Sequence, residues 1–231
     1  MRSCDEWTVE LGVGTATTVL AYEAETPSLD AALILAHGAG AGQRSPFMVA
    51  FASAIASHGI DTFTFNFPYT EQGRRVPDRR PVLEACYLAV IDAVRRRFAS
   101  AARPLLIGGK SMGGRIATHV AAADAELRLA GLVLLGYPLH PPGKPDENRD
   151  AHLPAIRRPV LVVQGERDAF GTPAELDPAL ATMKPDPTLY VVPGGDHSFK
   201  VARVGRSGQQ AVYVQVEHAV ADWIAGVTAG R

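Results

Sequence analysis

Six short apolar runs recur along the chain, at residues 33–36, 62–65, 105–107, 132–135, 160–163 and 189–192. They are rich in Val, Ile, Leu and Phe and lack strict polar alternation, which is how strands covered on both faces read. Between them lie segments with helical spacing, at 46–58, 82–99, 112–123, 173–183 and 209–225. Strands that alternate with helices imply a mostly parallel sheet with helices on both faces. Residues 7–11 and 17–23, joined by a glycine-containing turn, add an antiparallel hairpin at one edge. The sheet then has about eight strands. The chain has 231 residues, 47% of them hydrophobic, with no internal repeat or low-complexity tract. That is enough for one sizeable core, so residues 1–231 are expected to form a single α/β domain.

Composition removes several kinds of function. The formal net charge is −1, so neither nucleic acid nor a membrane surface is favoured as a partner. No stretch approaches the roughly 18 consecutive apolar residues of a membrane helix. Met1 to Glu10 include Asp5, Glu6 and Glu10 and no apolar run, which argues against a secretory signal peptide. The only cysteines are Cys4 and Cys86. Cys86 lies in an apolar helical pattern and reads as core, so no disulfide framework is expected. The expected setting is cytoplasmic.

In open parallel sheets, ligands bind beyond the carboxyl ends of the strands. Four segments follow strands there: His37-Gly38-Ala39-Gly40-Ala41-Gly42, Gly108 to Gly114, Gln164 to Asp168, and Pro193 to Ser198. The central signal is Gly109-x-Ser111-x-Gly113, between the run at 105–107 and a helical pattern from Arg115. A serine hydroxyl is a poor nucleophile until a base takes its proton, and it must stand clear of the backbone to reach a carbonyl carbon. A tight strand-to-helix turn with small residues two before and two after the serine achieves this. A phosphate-binding loop also ends in Gly-Lys-Ser. That motif needs a glycine where this chain has Pro104, so it is rejected.

The base is expected after the last strand, at His197. Asp168 is the expected acid, orienting the imidazole, with Glu166 as the alternative. Asp196 is expected to brace its loop. The oxyanion is expected to meet the backbone N–H groups of Met112 and Ala39. His37 is expected to hold its own loop, the one after the run at 33–36, by a hydrogen bond. The remaining histidines read as surface or core. No cofactor and no metal are expected.

The segments Leu35 to Gly40, Phe65 to Tyr69, Gly108 to Arg115, Gly136 to Gly143 and Gly194 to Phe199, in this order, resemble a small family of α/β-hydrolases related to dienelactone hydrolases. Its animal members include a testis-expressed protein and a subunit of the NSL acetyltransferase complex. The resemblance covers about residues 32 to 224. It implies the α/β-hydrolase fold and a Ser111, Asp168, His197 triad, but no substrate. Dienelactone hydrolases proper use a cysteine nucleophile where this chain has Ser111, so lactone specificity does not carry over.

The expected activity is hydrolysis of an ester, thioester or similar acyl bond in a small-molecule substrate. Two readings compete: a non-catalytic binding or scaffold protein on the same fold, and an acyltransferase that uses the same triad. Only about 24 residues separate Leu135 from Val160, which leaves room for a short helix near 151–157 and no large lid. Arg74, Arg75, Arg79 and Arg80 cluster after the strand at 62–65. They read first as solvated surface, and alternatively as a grip on an anionic substrate.

Overall fold

The apolar runs pair into one eight-stranded sheet. A computed structural model of the chain describes residues 5–12, 14–26, 29–98 and 104–229. Strands β1 (Asp5–Gly12) and β2 (Thr15–Tyr22) form the antiparallel edge hairpin. Then follow β3 (Ala32–Ala36), β4 (Asp61–Phe65), β5 (Leu105–Lys110), β6 (Gly131–Leu135), β7 (Val160–Gly165) and β8 (Thr188–Val192). The spatial order is β1-β2-β4-β3-β5-β6-β7-β8. β2 meets β4 antiparallel, and every later pairing is parallel.

Helix α1 (Pro46–Ser57) and the C-terminal α6 (Gly205–Thr228) cover one face of the sheet. There Leu33, Leu106, Val133 and Leu161 pack with Ile55 and Val220. Helices α3 (Arg80–Arg97) and α4 (Met112–Ala123) cover the other, where Ile34, Ile107, Leu134 and Val162 meet Val90 and Ile116. Neighbouring residues of one strand fall in opposite cores because side chains alternate across a sheet. All of β3, β6 and β7 is buried, which is why their sequences carry no polar alternation.

Two short elements complete the chain. α2 (Pro68–Glu71) is a single turn that opens on a proline and leaves no periodic trace in the sequence. α5 (Pro173–Leu180) starts at a capping box in which Thr172 and Glu175 satisfy each other's backbone N–H groups. The segment between β6 and β7 holds only a 3₁₀ turn at Leu153–Ala155. Among the described residues no large lid covers the carboxyl edge of the sheet. α3 ends at Arg97 and α6 begins at Gly205, four residues before the expected start. Residue 99, where the third helix was expected to end, and Cys4 lie outside the described residues. Cys86 is a buried free thiol. Among the described residues no helix is long and apolar enough to cross a membrane.

Tyr87 of α3 ties both central strands to the helix layer. Its buried hydroxyl accepts the Gly108 N–H at 2.9 Å and lies within donating distance of the Gly108 carbonyl at 2.6 Å and the Ile34 carbonyl at 2.9 Å. Tyr87→Phe leaves that N–H without its partner inside the core. Unfolding in denaturant is expected to show a loss of about 1–3 kcal/mol. An unchanged midpoint would mean that the strand does not depend on this hydroxyl.

Candidate active site

Ser111 occupies the turn between β5 and α4 at φ 52°, ψ −116°, a region that side chains rarely adopt. Two glycines make the turn possible. A Cβ on Gly109 or on Gly113 would stand 2.3 Å from the Ala36 carbonyl oxygen of the neighbouring strand. The serine backbone is held on both sides: its N–H donates to Leu135 O at 2.9 Å, and its carbonyl accepts from Arg115 N–H at 3.0 Å. Met112, the first residue of α4, lies among the first four helical N–H groups, which have no partner within the helix.

The strand ends converge on this turn. His197, after β8, has Nε2 at 2.8 Å from Ser111 Oγ and Nδ1 at 2.7 Å from Asp168 Oδ2. Asp168 follows β7 and is 1% exposed. Each of its oxygens has a further donor: Gln164 Nε2 reaches Oδ2 at 2.9 Å, and the Phe170 N–H reaches Oδ1 at 2.8 Å. The Phe170 ring lies against the imidazole, centroids 4.2 Å apart and planes 31° apart. Ser111, Ala39 and Met112 line a cleft of about 250 Å³ with Phe170. Such a chain can move a proton from the serine oxygen to Nε2 while Oδ2 holds Nδ1–H.

A family model described as an alpha/beta hydrolase domain matches residues 29–225. The chain belongs to this alpha/beta hydrolase family. Solved structures share its fold at low identity. A serine hydrolase homologue from Coxiella burnetii has a TM-score of 0.74 and 16% identity, over 94% of this chain and 96% of the other. A serine hydrolase without lid from Xanthomonas campestris gives 0.71 and 21%, over 95% and 94%. A dienelactone hydrolase from Anabaena variabilis gives 0.70 and 19%, over 94% and 97%.

In this alpha/beta hydrolase, Glu166 is turned away from the imidazole. It is exposed, and its Oε2 accepts the Gly194 N–H at 2.6 Å. Asp196 ties the loop that carries His197, accepting the N–H groups of Ser198 at 2.7 Å and Lys200 at 2.9 Å. His37 is fully buried, and burial lowers its pKa. Its Nε2 accepts the Phe67 N–H at 3.1 Å, which puts the ring proton on Nδ1, 2.8 Å from the Gly38 carbonyl. The loop bearing Ala39 is thereby fixed to the end of β4, and the Tyr69 hydroxyl donates to Ala39 O at 3.0 Å.

The arginine run after β4 is divided among different settings. Arg74 is paired with Asp78 at 2.6 Å and bonded to Gln72 at 2.9 Å, and Arg75 and Arg79 are exposed. Only Arg80 reaches the cleft, which is also lined by Arg115 and Arg149.

Three supporting residues escaped the sequence reading. Gln164 is the one polar side chain in a buried strand, and besides Asp168 it meets Gly171 O at 2.7 Å and the Tyr137 N–H at 2.8 Å. Phe199, two residues after His197, is fully buried. Lys110, next to Ser111, donates to the His197 carbonyl and stands 5.2 Å over the Phe199 ring. A polar residue closing an apolar strand was the available signal for both Gln164 and Lys110.

Burial draws the Lys110 ammonium down to about 8, against an opposing pull from Asp168 and Asp196. At pH below about 8 both folded and unfolded chains carry this proton. Between about 8 and the ordinary lysine value of 10.5 only the unfolded chain keeps it, so folding gains stability as pH rises through that window. The gain relative to Lys110→Met is expected to be about 1–3 kcal/mol. Parallel denaturation curves at intervals across the window check this, and a constant difference would contradict it.

Proposed function

We propose that the protein is a serine hydrolase that cleaves an ester, thioester or similar acyl bond through an acyl-enzyme on Ser111. The observation that carries the reading is the chain of hydrogen bonds from Ser111 Oγ through His197 to buried Asp168, at 2.8 and 2.7 Å, beside an open cleft. His197 Nε2 takes the hydroxyl proton as Oγ bonds to the carbonyl carbon. The carbonyl oxygen becomes an oxyanion, held by the N–H groups of Met112 and Ala39, with the positive end of the α4 dipole behind it. When the tetrahedral adduct collapses, the bond to the leaving group breaks and His197 returns its proton to that group. Water then repeats the sequence, with His197 again as base, and frees the acid. Asp168 keeps Nδ1–H oriented and stabilises the imidazolium formed in each half-reaction.

The narrower kinship with the dienelactone-hydrolase-related branch, including its animal members, belongs to the same proposal, as does a cytoplasmic setting. The absence of an inserted lid between β6 and β7 supports modest acyl substrates.

A fluorophosphonate should add one phosphonyl group to the protein, read by intact mass, and Ser111→Ala should abolish it. Asp168→Asn should lower turnover by about 10⁴-fold, while Glu166→Gln should do far less. No adduct after long incubation would favour a scaffold without catalysis.

A further inference from the structure

The cleft beside Ser111 is built partly from residues that acyl transfer does not use. Arg80, Arg115 and Arg149 stand in its wall. Arg80 begins α3, and Arg115 lies one turn beyond the nucleophile in α4. Arg149 comes from the segment after β6, where its N–H donates to Leu139 O at 2.8 Å and its carbonyl accepts from the Tyr137 hydroxyl at 2.6 Å. That backbone clamp holds Arg149 over the cleft in a segment without regular structure.

The charges are not balanced within the protein. Arg80 has Glu84 at 3.2 Å. The one carboxylate in the cleft wall, Asp78, already pairs with Arg74 through Oδ1, and its Oδ2 is buried without a partner. Asp150 acts electrostatically on Tyr137 and His152. Among the described residues neither Arg115 nor Arg149 forms an ion pair, and Arg115 Nε is buried with no hydrogen-bond partner. An arginine keeps its charge at any working pH. A half-buried guanidinium with unused donors costs free energy unless an anion completes it.

The layer below points the same way. His119 and His152 stack with centroids 3.6 Å apart. They are pushed down to about 3 and about 4, first by burial and then by neighbouring cations that include Arg80 and Arg115. The pair is neutral and adds no charge; the net field it feels is positive, with Asp150 opposing the cations at His152.

We propose that Arg115 and Arg149 bind a carboxylate of the substrate, so that the enzyme selects short acyl esters carrying a free acid beyond the scissile carbonyl. This rests on the hydrolase reading. The planar guanidinium fork presents paired N–H donors to two carboxylate oxygens at once, and a partly buried site strengthens each bond.

The test compares monomethyl glutarate with dimethyl glutarate, by methanol release. Wild-type kcat/KM should favour the monoester by about tenfold or more. Arg115→Gln and Arg149→Gln should each lower that ratio about tenfold, chiefly through KM, whereas Arg74→Gln should keep it. Added salt should erode it. Turnover of the diester without preference for the monoester overturns the anion site and leaves the hydrolase reading intact. If neither ester is cleaved and Ser111 takes no fluorophosphonate, the hydrolase reading fails. The anion site is then decided by calorimetry of monomethyl glutarate with Ser111→Ala protein. Binding is expected there, weakened about tenfold when Arg115→Gln is added. No binding, or equal binding in both, overturns the proposal. A stronger preference for methyl 3-phosphonopropanoate than for monomethyl glutarate would overturn the carboxylate assignment in favour of a phosphoryl group.

Discussion

The approach of the β5–α4 turn to the Ala36 carbonyl governs the rest of the site. Because only hydrogen fits at Gly109 and Gly113, α4 begins hard against β3. The chain must reverse at Ser111, and its backbone takes a conformation that costs about 1–3 kcal/mol by itself. The sheet and helix over-determine it, through Leu135 O on one side and the first helical bond on the other. The same closeness brings the loop after β3 beside Ser111: a Cβ on Gly38 would lie 3.6 Å from Ser111 Cβ. A serine side chain, a helix N-terminus and a second loop amide thus share one small volume as a consequence of packing.

Asp168 and His197 are held by different means. Asp168 is a carboxylate out of water, which is unfavourable unless its oxygens are satisfied. Gln164, the Phe170 N–H and His197 do this. Gln164 in turn is anchored to the segments after β6 and before α5 through Tyr137 and Gly171. His197 rides on a loop with no regular structure. Phe199 plugs that loop into the core under α1 and α6, a burial worth about 2–3 kcal/mol. Asp196 and Gln209 bind its backbone from two sides. Ser111 is therefore fixed by a backbone constraint and His197 by side-chain anchors.

That division explains what could be read without coordinates. The strands, the helices on both faces of the sheet and the strand-end placement of Ser111, Asp168 and His197 follow from periodicity and chain order, and both are local. α2 escaped notice because a single proline-led turn has no period. Gln164, Lys110 and Phe199 escaped because their roles arise only when β7, β5 and the last loop meet. The arginines show the same limit. Arg74, Arg75, Arg79 and Arg80 are dense in sequence, yet Asp78 takes up Arg74, and the cleft draws on Arg115 and Arg149 from distant segments. Density along the chain measures composition; charge in a cleft depends on which carboxylates fold next to which cations.

The two kinds of cation near Ser111 respond differently to pH, and this separates their roles. Lys110 lies on the side of Asp168 and His197, its amine within reach of neutrality in mild alkali. Its hydrogen bond to the His197 carbonyl positions the loop, and a neutral amine can still donate it. Arg115 and Arg149 cannot lose their charge, and the histidine pair beneath them stays neutral until well into the acid range. The field that these cations set on the cleft side is thus constant across neutral and mildly alkaline pH. Low-dielectric walls focus such a field on the cleft mouth.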